Sequence, residues 1–306
     1  MKLRSILKPE YIYRPAQILR RVRFELSQPG DFADARLPWG MPIRVRPKEI
    51  IGRSIASLGI FELQVTEAMW RLVDPGETVV DVGANIGYMT SVLCRRVAPG
   101  GTVWCFEPHP EIYSELSHNV ERWRRDGLAA AVVLKNAAVS DRSGECRLHI
   151  PSDFSFNRGL ATVESRGGNG MKEITVPQVS LDDVFSSGEQ IGLIKIDVEG
   201  HEAAVFRGAR TLIGEHRVRD WLFEENDENP IGVGKMLSEN GYSLFRIKKH
   251  FSHVELLPPE THVTVASYAV PESPNFLATL EPARATRRFE SHGWQCLGRG
   301  GVSARK

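Results

Sequence analysis

Cysteine pairs, long apolar runs and an excess of one charge are all missing from this 306-residue sequence. The four cysteines, at positions 94, 105, 146 and 296, form no C-x-x-C pair, which argues against a zinc site and favours a reduced, cytoplasmic location. The first residues lack the apolar core of a signal peptide. The longest uninterrupted apolar run, residues 128–134, is far too short to cross a bilayer, so we expect no transmembrane segment.

Positive and negative charges nearly cancel, with 39 Lys and Arg against 38 Asp and Glu, so nothing in the net charge demands nucleic acid as a partner. The basic residues are nevertheless concentrated near both ends. They are Lys2, Arg4, Lys8, Arg14, Arg20, Arg21 and Arg23, and then Arg284, Arg287, Arg288, Arg299, Arg305 and Lys306. The simplest interpretation is a solvated face and a flexible tail, and the alternative is peripheral docking to an anionic lipid or carrier.

Three zones divide the chain. Residues 1–75 form a mixed, basic segment that we expect to pack on or cap the core, and residues 281–306 read as a flexible tail. Between them, residues 76–280 alternate strand-like and helix-like segments, with a polar insertion at 145–180. Seven predicted strands alternating with helices indicate an α/β fold with a mostly parallel sheet covered on both faces. We expect the last two strands, at 242–247 and within 263–277, to form an antiparallel hairpin at the sheet edge.

The strongest motif is DVGANIG at residues 81–87, where a buried valine-rich strand turns through glycines into a helix. Gly83 and Gly87 allow the backbone to approach a ligand closely, and N–H groups at the helix start favour an anion. A dinucleotide site requires glycine at the middle position, which is Asn85 here. A nicotinamide-dependent dehydrogenase therefore remains an alternative rather than the preferred interpretation.

S-adenosylmethionine fits this turn better, because it carries an ammonium, a carboxylate and a sulfonium but no phosphate. Asp81 suits the ammonium, directly or through water, and the N–H groups of the turn suit the carboxylate. Glu107 ends the second strand, where a carboxylate accepts hydrogen bonds from both ribose hydroxyls. Asn136, or a neighbouring backbone group, is our candidate for reading the adenine edge.

A second motif follows the fourth predicted strand and delivers Lys195, Asp197, Glu199 and His201 to one turn. The first and fourth strands flank the switch point of such a sheet, so both motifs face one crevice. His201 is the best candidate for a general base, because its ordinary pKa lies near neutrality. Glu199 is expected to orient the imidazole or hold an acceptor hydroxyl, Asp197 to contact the sulfonium side or the acceptor, and Lys195 to stabilise a developing alkoxide.

Plainer interpretations stay open for these residues. His201 fits equally well as a first-turn helix residue near the site, and Lys195 as an ion-pair partner of the neighbouring acids. A magnesium ion held by Asp197, Glu224 and Asn226 is a minor alternative, since oxygen ligands of this kind suit Mg²⁺. Acids at strand ends bind hydroxyl groups as often, so our main expectation is no metal.

Together these segments resemble the FkbM family of methyltransferases over about residues 50–280. The resemblance rests on segments 59–62, 81–87, 106–108, 136–141, 180–183, 195–202, 206–209 and 275–278. It implies the Rossmann-like topology of class I methyltransferases, S-adenosylmethionine as methyl donor, and O-methylation of sugar, glycolipid or natural-product hydroxyls. It also implies cofactor contacts at Asp81, Gly83, Asn85, Gly87 and Glu107. Glu62 is then expected to close over the cofactor from the N-terminal segment.

Two other functions compete with this one. Methyltransferases that act on nucleobase nitrogens often carry N-P-P-[YF] after the fourth strand, but this chain has Asp197-Val198-Glu199-Gly200 there. A non-catalytic module that only binds the cofactor is the other alternative, although both motifs keep their acids.

Overall fold

The computed structural model describes residues 16–26, 30–151, 154, 158, 161–163, 172–225, 231–261 and 274–298. Its helices are α1 (Ala16–Leu26), α2 (Ile50–Leu58), α3 (Leu63–Leu72), α4 (Tyr88–Val97), α5 (Pro110–Arg125), α6 (Leu181–Val184), α7 (Glu202–Arg207), α8 (Arg210–Gly214), α9 (Ile231–Glu239) and α10 (Pro282–Phe289). Its strands are β1 (Ala33–Arg36), β2 (Pro42–Val45), β3 (Thr78–Val82), β4 (Thr102–Phe106), β5 (Ala131–Lys135), β6 (Ala138–Val139), β7 (Gly144–Ile150), β8 (Lys172–Val179), β9 (Ile191–Ile196), β10 (Val218–Glu224), β11 (Ser243–Lys249), β12 (Val254–Leu257) and β13 (Asn275–Thr279).

The central sheet runs β12-β11-β13-β10-β9-β3-β4-β5 across the described part of the chain. Strands β5, β4, β3, β9 and β10 pair in parallel, and β13 is antiparallel to both of its neighbours. The predicted α/β class with a mostly parallel sheet is confirmed. The last two predicted strands pair antiparallel as expected, as β11 and β13. Their position as a hairpin at the edge is wrong, because β13 inserts between β10 and β11, and the added strand β12 forms the edge.

The centre of this sheet consists of strands buried on both faces. β9 (IGLIKI) is buried along its whole length, and β3 (TVVDV) is buried from its second residue. Continuous apolar strands of this kind are typical of parallel sheets covered by helices. From β3 the chain continues to β4 and β5 on one side, and it later continues from β9 to β10 on the other. The carboxyl ends of β3 and β9 therefore flank the switch point, where ligands bind in open α/β sheets.

The polar insertion adds a second, smaller sheet of order β6-β8-β7. The predicted third strand, 131–139, is divided between the two sheets: β5 stays in the central sheet, whereas β6 pairs with β8. The two strands predicted in the insertion are present as β7 and β8 and pair antiparallel. Most of the polar stretch between them lies outside the described residues.

Residues 33–73 pack into the same apolar core as β3 and α4. Trp39, Met41, Ile43 and Met69 are buried in that core, and the indole N–H of Trp39 donates to Ser91 Oγ at 3.1 Å. The N-terminal segment is therefore continuous with the core around the sheet. Among the described residues, no helix combines the length and apolarity that a membrane span requires.

The prediction of a flexible tail is wrong for residues 282–298, which include α10 and a 3-10 helix (Gln295–Leu297). A fully buried ion pair between Glu67 and Arg71 of α3 holds them. The Arg71 guanidinium donates to the carbonyls of Arg288, Ser291 and Gly293 at 2.7–2.9 Å. Glu67 accepts the backbone N–H groups of residues 295 and 296 at 2.9 Å. Composition alone misled here, because the segment is polar while its anchor lies in another helix.

This anchor makes a stability prediction. Glu67→Gln leaves the Arg71 charge buried without its carboxylate, which should lower the free energy of unfolding by about 3–5 kcal/mol in urea denaturation. Arg287→Gln, on the exposed face of α10, is the matched control and should change stability by no more than about 0.5 kcal/mol. Equal effects of the two substitutions would show that the buried pair does not hold the C-terminal segment.

Candidate functional site

A cavity of about 320 Å³ opens at the carboxyl ends of β3, β4 and β9. Its size lies within the range of small-molecule sites. The wall combines the DVGANIG loop, the turn after β9, the small sheet and the N-terminal segment. Its polar lining residues include Glu62, Gln64, Asn85, Glu107, Arg158, Lys195, Asp197, Glu199, His201, Glu224 and Asn275, and its apolar ones include Ile50, Phe61, Met89, Ile112, Leu148 and Val163.

The glycine-rich loop adopts the left-handed backbone that its sequence requires. Gly83, Asn85 and Gly87 have φ of 77°, 48° and 93°. Asparagine tolerates this region because its short polar side chain bonds locally, and Asn85 Oδ1 accepts the N–H of Ile86 at 2.8 Å. A Cβ at Gly83 would lie 1.9 Å from the Asp197 carbonyl oxygen. The loop and the turn after β9 are therefore in direct backbone contact.

The N–H groups of this loop are already bonded, which corrects the expected contact with the cofactor carboxylate. Those of Gly83 and Ala84 donate to the Phe106 carbonyl at 3.0 and 2.9 Å, and that of Asn85 donates to Glu107 Oε2 at 3.0 Å. The N–H of Gly87 donates to the carbonyl of Ala84. The loop is consequently a rigid wall rather than an open set of donors.

Glu107 lies in the cavity wall, buried at the end of β4. Its two oxygens accept one backbone N–H each, from Asn85 at 3.0 Å and from His109 at 2.9 Å. Burial raises the pKa of Glu107 to about 7, although the two backbone hydrogen bonds act in the opposite direction. The carboxylate is thus held in a fixed orientation and titrates near neutrality.

Lys195 is buried between two carboxylates. Its ammonium lies 3.3 Å from Asp81 Oδ1 and 3.3 Å from Asp197 Oδ2, and it donates to the Gly83 carbonyl at 3.0 Å. Burial by itself lowers the pKa of Lys195, but the carboxylates of Asp197 and Asp81 outweigh burial and raise it above its ordinary value. Lys195 is therefore a permanent cation that joins β3, β9 and the glycine-rich loop.

Asp81 does not line the cavity, so of the two contacts expected for it, direct or through water, the structure does not support the direct one. Asp81 is fully buried, and Thr90 Oγ1 donates to its Oδ2 at 2.6 Å. The reason is strand geometry: Asp81 pairs with Lys195 in the register of β3 and β9, so its charge acts on the cavity through that lysine. Of the two acids beside Lys195, Asp197 is the one that lines the cavity; it lies one residue beyond β9 and its side chain is 31% exposed.

The turn after β9 brings His201 and Glu199 to the cavity wall. His201 Nε2 lies 3.0 Å from the hydroxyl oxygen of buried Ser140. Glu199 has a left-handed backbone (φ 54°), and its carbonyl accepts from Thr162 Oγ1 at 3.0 Å. Glu202 lies beneath the turn and accepts the N–H groups of residues 198 and 200 at 3.3 and 3.2 Å. The turn is thus fixed from two sides.

Other predicted residues lie around this centre. Glu62 lines the cavity at the start of α3, as a contact from the N-terminal segment requires. Gly87 lies behind the wall, where a Cβ would meet Leu116 at 2.7 Å. Asn136 is also outside the lining, because its amide donates to the carbonyls of Glu107 and Pro108 at 2.8 and 3.0 Å. It holds the Glu107 turn in place, and its neighbour Ala137 lines the cavity.

Comparison with known proteins identifies the family. The model of the methyltransferase FkbM domain matches residues 81–244, which is more than half of the chain. The hexuronic acid methyltransferase AglP of Haloferax volcanii is 30% identical over 198 residues, covering 58% of this chain and 75% of AglP. The chain belongs to the FkbM methyltransferase family. It is therefore an S-adenosylmethionine-dependent methyltransferase with a Rossmann-like fold.

Two further proteins that are similar to this chain carry the FkbM name. The 31-O-demethyl-FK506 methyltransferase FkbM of Streptomyces tacrolimicus is 33% identical over 199 residues, covering 56% of this chain and 74% of that protein. The crystal structure of methyltransferase FkbM from Methylobacillus flagellatus KT is 16% identical with a TM-score of 0.44, and covers 66% of this chain and 43% of that chain.

The charges of the cavity fit the cationic cofactor of this methyltransferase family. Among the described lining residues, five are carboxylates, at positions 62, 107, 197, 199 and 224. Lys195 and Arg158 are the lysine and arginine in that set; Lys195 contacts two carboxylates and Arg158 contacts three. A sulfonium and an ammonium would therefore enter a negative cavity. The family assignment also removes the nicotinamide-dependent dehydrogenase from consideration.

A metal finds no support in the described residues. No group of three or more His, Cys, Asp and Glu side chains there is arranged to hold an ion. Of the proposed magnesium ligands, Asp197 and Glu224 both line the cavity, whereas Asn226 lies outside the described residues.

Sequence reasoning missed three members of the site. Ser140 was visible only as part of a family segment, and its contact with His201 spans 61 positions. Arg158 stands in a polar stretch with no motif, yet it is buried against Glu49 and Glu115 at 3.2 and 2.7 Å. Asn275 opens β13, and its place beside β10 depends on the strand order. Each of the three residues reaches the site through contacts that are distant in sequence, and no local pattern encodes such contacts.

The contact of Gly83 with the turn after β9 makes a testable prediction. Gly83→Ala adds a clash with the Asp197 backbone to the cost of a left-handed alanine, whereas Gly76→Ala at φ 84° has nothing within 4 Å and carries the backbone cost alone. In urea denaturation, Gly76→Ala should cost about 1–2 kcal/mol and Gly83→Ala at least about 2 kcal/mol more. If the two variants were equally stable, the close approach of the loops would be disproved.

Proposed function

We propose that this methyltransferase transfers a methyl group to a hydroxyl oxygen of a sugar, glycolipid or natural-product acceptor. The observation that carries the proposal is the presence of His201, held by Ser140, in the wall of the cavity that contains the cofactor motif. A hydroxyl must lose its proton as it is methylated, and a positioned imidazole is the side chain best suited to accept it near neutral pH. The names of two relatives, a hexuronic acid methyltransferase and a 31-O-demethyl-FK506 methyltransferase, support the acceptor class.

On the cofactor side, we assign the ribose hydroxyls to Glu107. Each of its oxygens already accepts one backbone N–H, and each keeps a second lone pair for a hydroxyl donor. We assign the ammonium to Asp197, because it reaches the cavity whereas Asp81 does not. Asp81 then acts as the partner that keeps Lys195 charged and in place.

On the acceptor side, bound S-adenosylmethionine supplies the methyl group and a neutral thioether leaving group. His201 accepts the acceptor's hydroxyl proton while the oxygen takes the methyl carbon, and Ser140 holds the imidazole in position. Glu199 lines the cavity from the same turn, and we assign to it the orientation of the acceptor. Lys195 contributes positive charge close to the developing negative oxygen, although its two carboxylate partners limit that contribution.

Transfer to nitrogen is the competing function, and the site favours it less. Nucleobase N-methyltransferases commonly place an amide and an aromatic ring after the fourth strand of the sheet. The corresponding turn here carries Asp197, Glu199 and His201, which accept or exchange protons with a hydroxyl. A screen of sugar, lipid-linked and polyketide alcohols against amines with a labelled methyl donor distinguishes the two. Turnover of amines alone would contradict the proposal.

The titration of Glu107 sets a pH dependence for cofactor binding. Its raised pKa of about 7 means that the ionised form, which accepts the ribose hydroxyls, is lost as pH falls through 7. Calorimetry should therefore give an S-adenosylmethionine Kd that rises by up to about tenfold per pH unit below 7 and is steady above it. Glu107→Gln should weaken binding at pH 8 and abolish this slope.

Glu121→Gln, on the exposed face of α5, is the control and should leave both the affinity and the slope intact. An unchanged slope in Glu107→Gln would assign the titration to another group and remove Glu107 from the ribose site.

The role of His201 is tested with an acceptor found in the screen. His201→Ala should lower kcat by about a hundredfold or more and change the cofactor Kd by less than about threefold, because the base acts in the chemical step. Ser140→Ala should produce a smaller loss of kcat and shift its pH profile, since the imidazole loses its hydrogen-bond partner. His118→Ala, exposed on α5, should be indistinguishable from the wild type. Unaltered turnover in His201→Ala would exclude it as the base.

A further inference from the structure

Helix α1 presents its aliphatic residues to solvent. Leu19, Val22 and Leu26 are 55%, 39% and 82% exposed, and they are among the most exposed large apolar residues of the described chain. Their spacing of three and four positions places them on one face of the helix. We call these three residues the outer stripe. An apolar face turned outward on a surface helix indicates a site of interaction.

The opposite face of α1 is the one that packs on the protein, and it is mostly polar. Gln17, Arg20 and Phe24 have the same spacing and lie about 160° around the helix from the outer stripe. Gln17 is buried, and Phe24 packs against the main core. The Arg20 guanidinium donates to the carbonyls of Ala56 and Arg36 at 3.0 and 3.1 Å. Because these contacts fix the rotation of the helix, the outward position of the outer stripe is built into the fold.

Basic residues are concentrated in the part of the sequence that contains the outer stripe. The first 26 residues of the chain contain seven Lys and Arg against two Glu, although the whole chain is nearly neutral. Within α1, Arg23 is exposed beside Val22 in the last turn. Aliphatic side chains bordered by arginine are complementary to the acyl and headgroup layers of an anionic bilayer.

We propose that α1 is a peripheral docking element that lies flat on an anionic lipid surface with its outer stripe inserted among the headgroups. The helix is about 16 Å long, enough for interfacial binding and only about half of a bilayer's hydrocarbon thickness.

The position of α1 relates this docking surface to the cavity. α1 packs on α2 through Arg20 and Ala56, and Ile50, the first residue of α2, lines the cavity and is 43% exposed. A docked α1 therefore places the cavity one helix away from the lipid surface. The docking itself requires no methyl transfer, so it is testable independently of the acceptor.

The test is flotation of the full chain with vesicles of phosphatidylcholine or of an equimolar phosphatidylcholine and phosphatidylglycerol mixture. The wild type should bind the mixed vesicles and should bind phosphatidylcholine weakly. The triple variant Leu19→Gln, Val22→Gln, Leu26→Gln should bind the mixed vesicles more than about tenfold more weakly. Glutamine keeps the helix propensity close to that of leucine, so the helix itself should persist. An unchanged Kd for S-adenosylmethionine confirms that the variants are folded.

Matched control variants distinguish docking through the outer stripe from nonspecific binding to vesicles. Phe251→Gln removes an apolar side chain of 45% exposure in the β11–β12 turn, and it should bind like the wild type, whereas Leu26→Gln alone should bind measurably less. Arg23→Gln should weaken binding several-fold, whereas Arg142→Gln, exposed elsewhere, should not.

Equal binding of the wild type and the triple variant, or no binding to mixed vesicles, would overturn the proposal. A dimer in analytical ultracentrifugation that the triple variant loses, without vesicle binding by the wild type, would overturn it in favour of self-association.

Discussion

The ammonium of Lys195, buried between Asp81 and Asp197, is the interaction on which the rest of the site depends. Because it also donates to the Gly83 carbonyl, one charge joins β3, the end of β9 and the glycine-rich loop. A buried charge of this kind is tolerated only when its partners are fixed in place. Gly83 contributes to the same arrangement sterically, because its lack of a side chain lets the loop contact the Asp197 backbone.

The negative character of the cavity follows from that arrangement. The positive charge of Lys195 is compensated by two carboxylates and that of Arg158 by three others, so the remaining acids of the wall determine the field that a ligand meets. Such a field favours a sulfonium and an ammonium and disfavours a pyrophosphate. Two features of the loop also disfavour a phosphate. Asn85 stands where a dinucleotide motif has glycine, and the N–H groups of the loop already donate within the protein, so they are not open donors for a phosphate.

Local patterns predicted the fold well, because strand periodicity is encoded by neighbouring residues, and the two motifs that they singled out line one cavity. They were less able to predict which atoms face the cavity. Asp81 was misplaced because its burial depends on the register with β9, and Asn136 because its amide partners lie near the end of β4. The C-terminal segment was misjudged for a related reason, since the buried pair that orders it belongs to α3.

The same distinction separates the donor side of the cavity from its acceptor side. The donor side is built from two short motifs on adjacent strands, so residue type and spacing reveal it. In the proposed function the acceptor side would combine Leu148 and Val163 of the insertion, Ile50 and Phe61 of the N-terminal segment, and Asn275 of β13, which all line the cavity. Those residues are brought together only by the fold and carry no common motif. We therefore expect acceptor specificity to depend on these residues, which no local pattern in the sequence identifies.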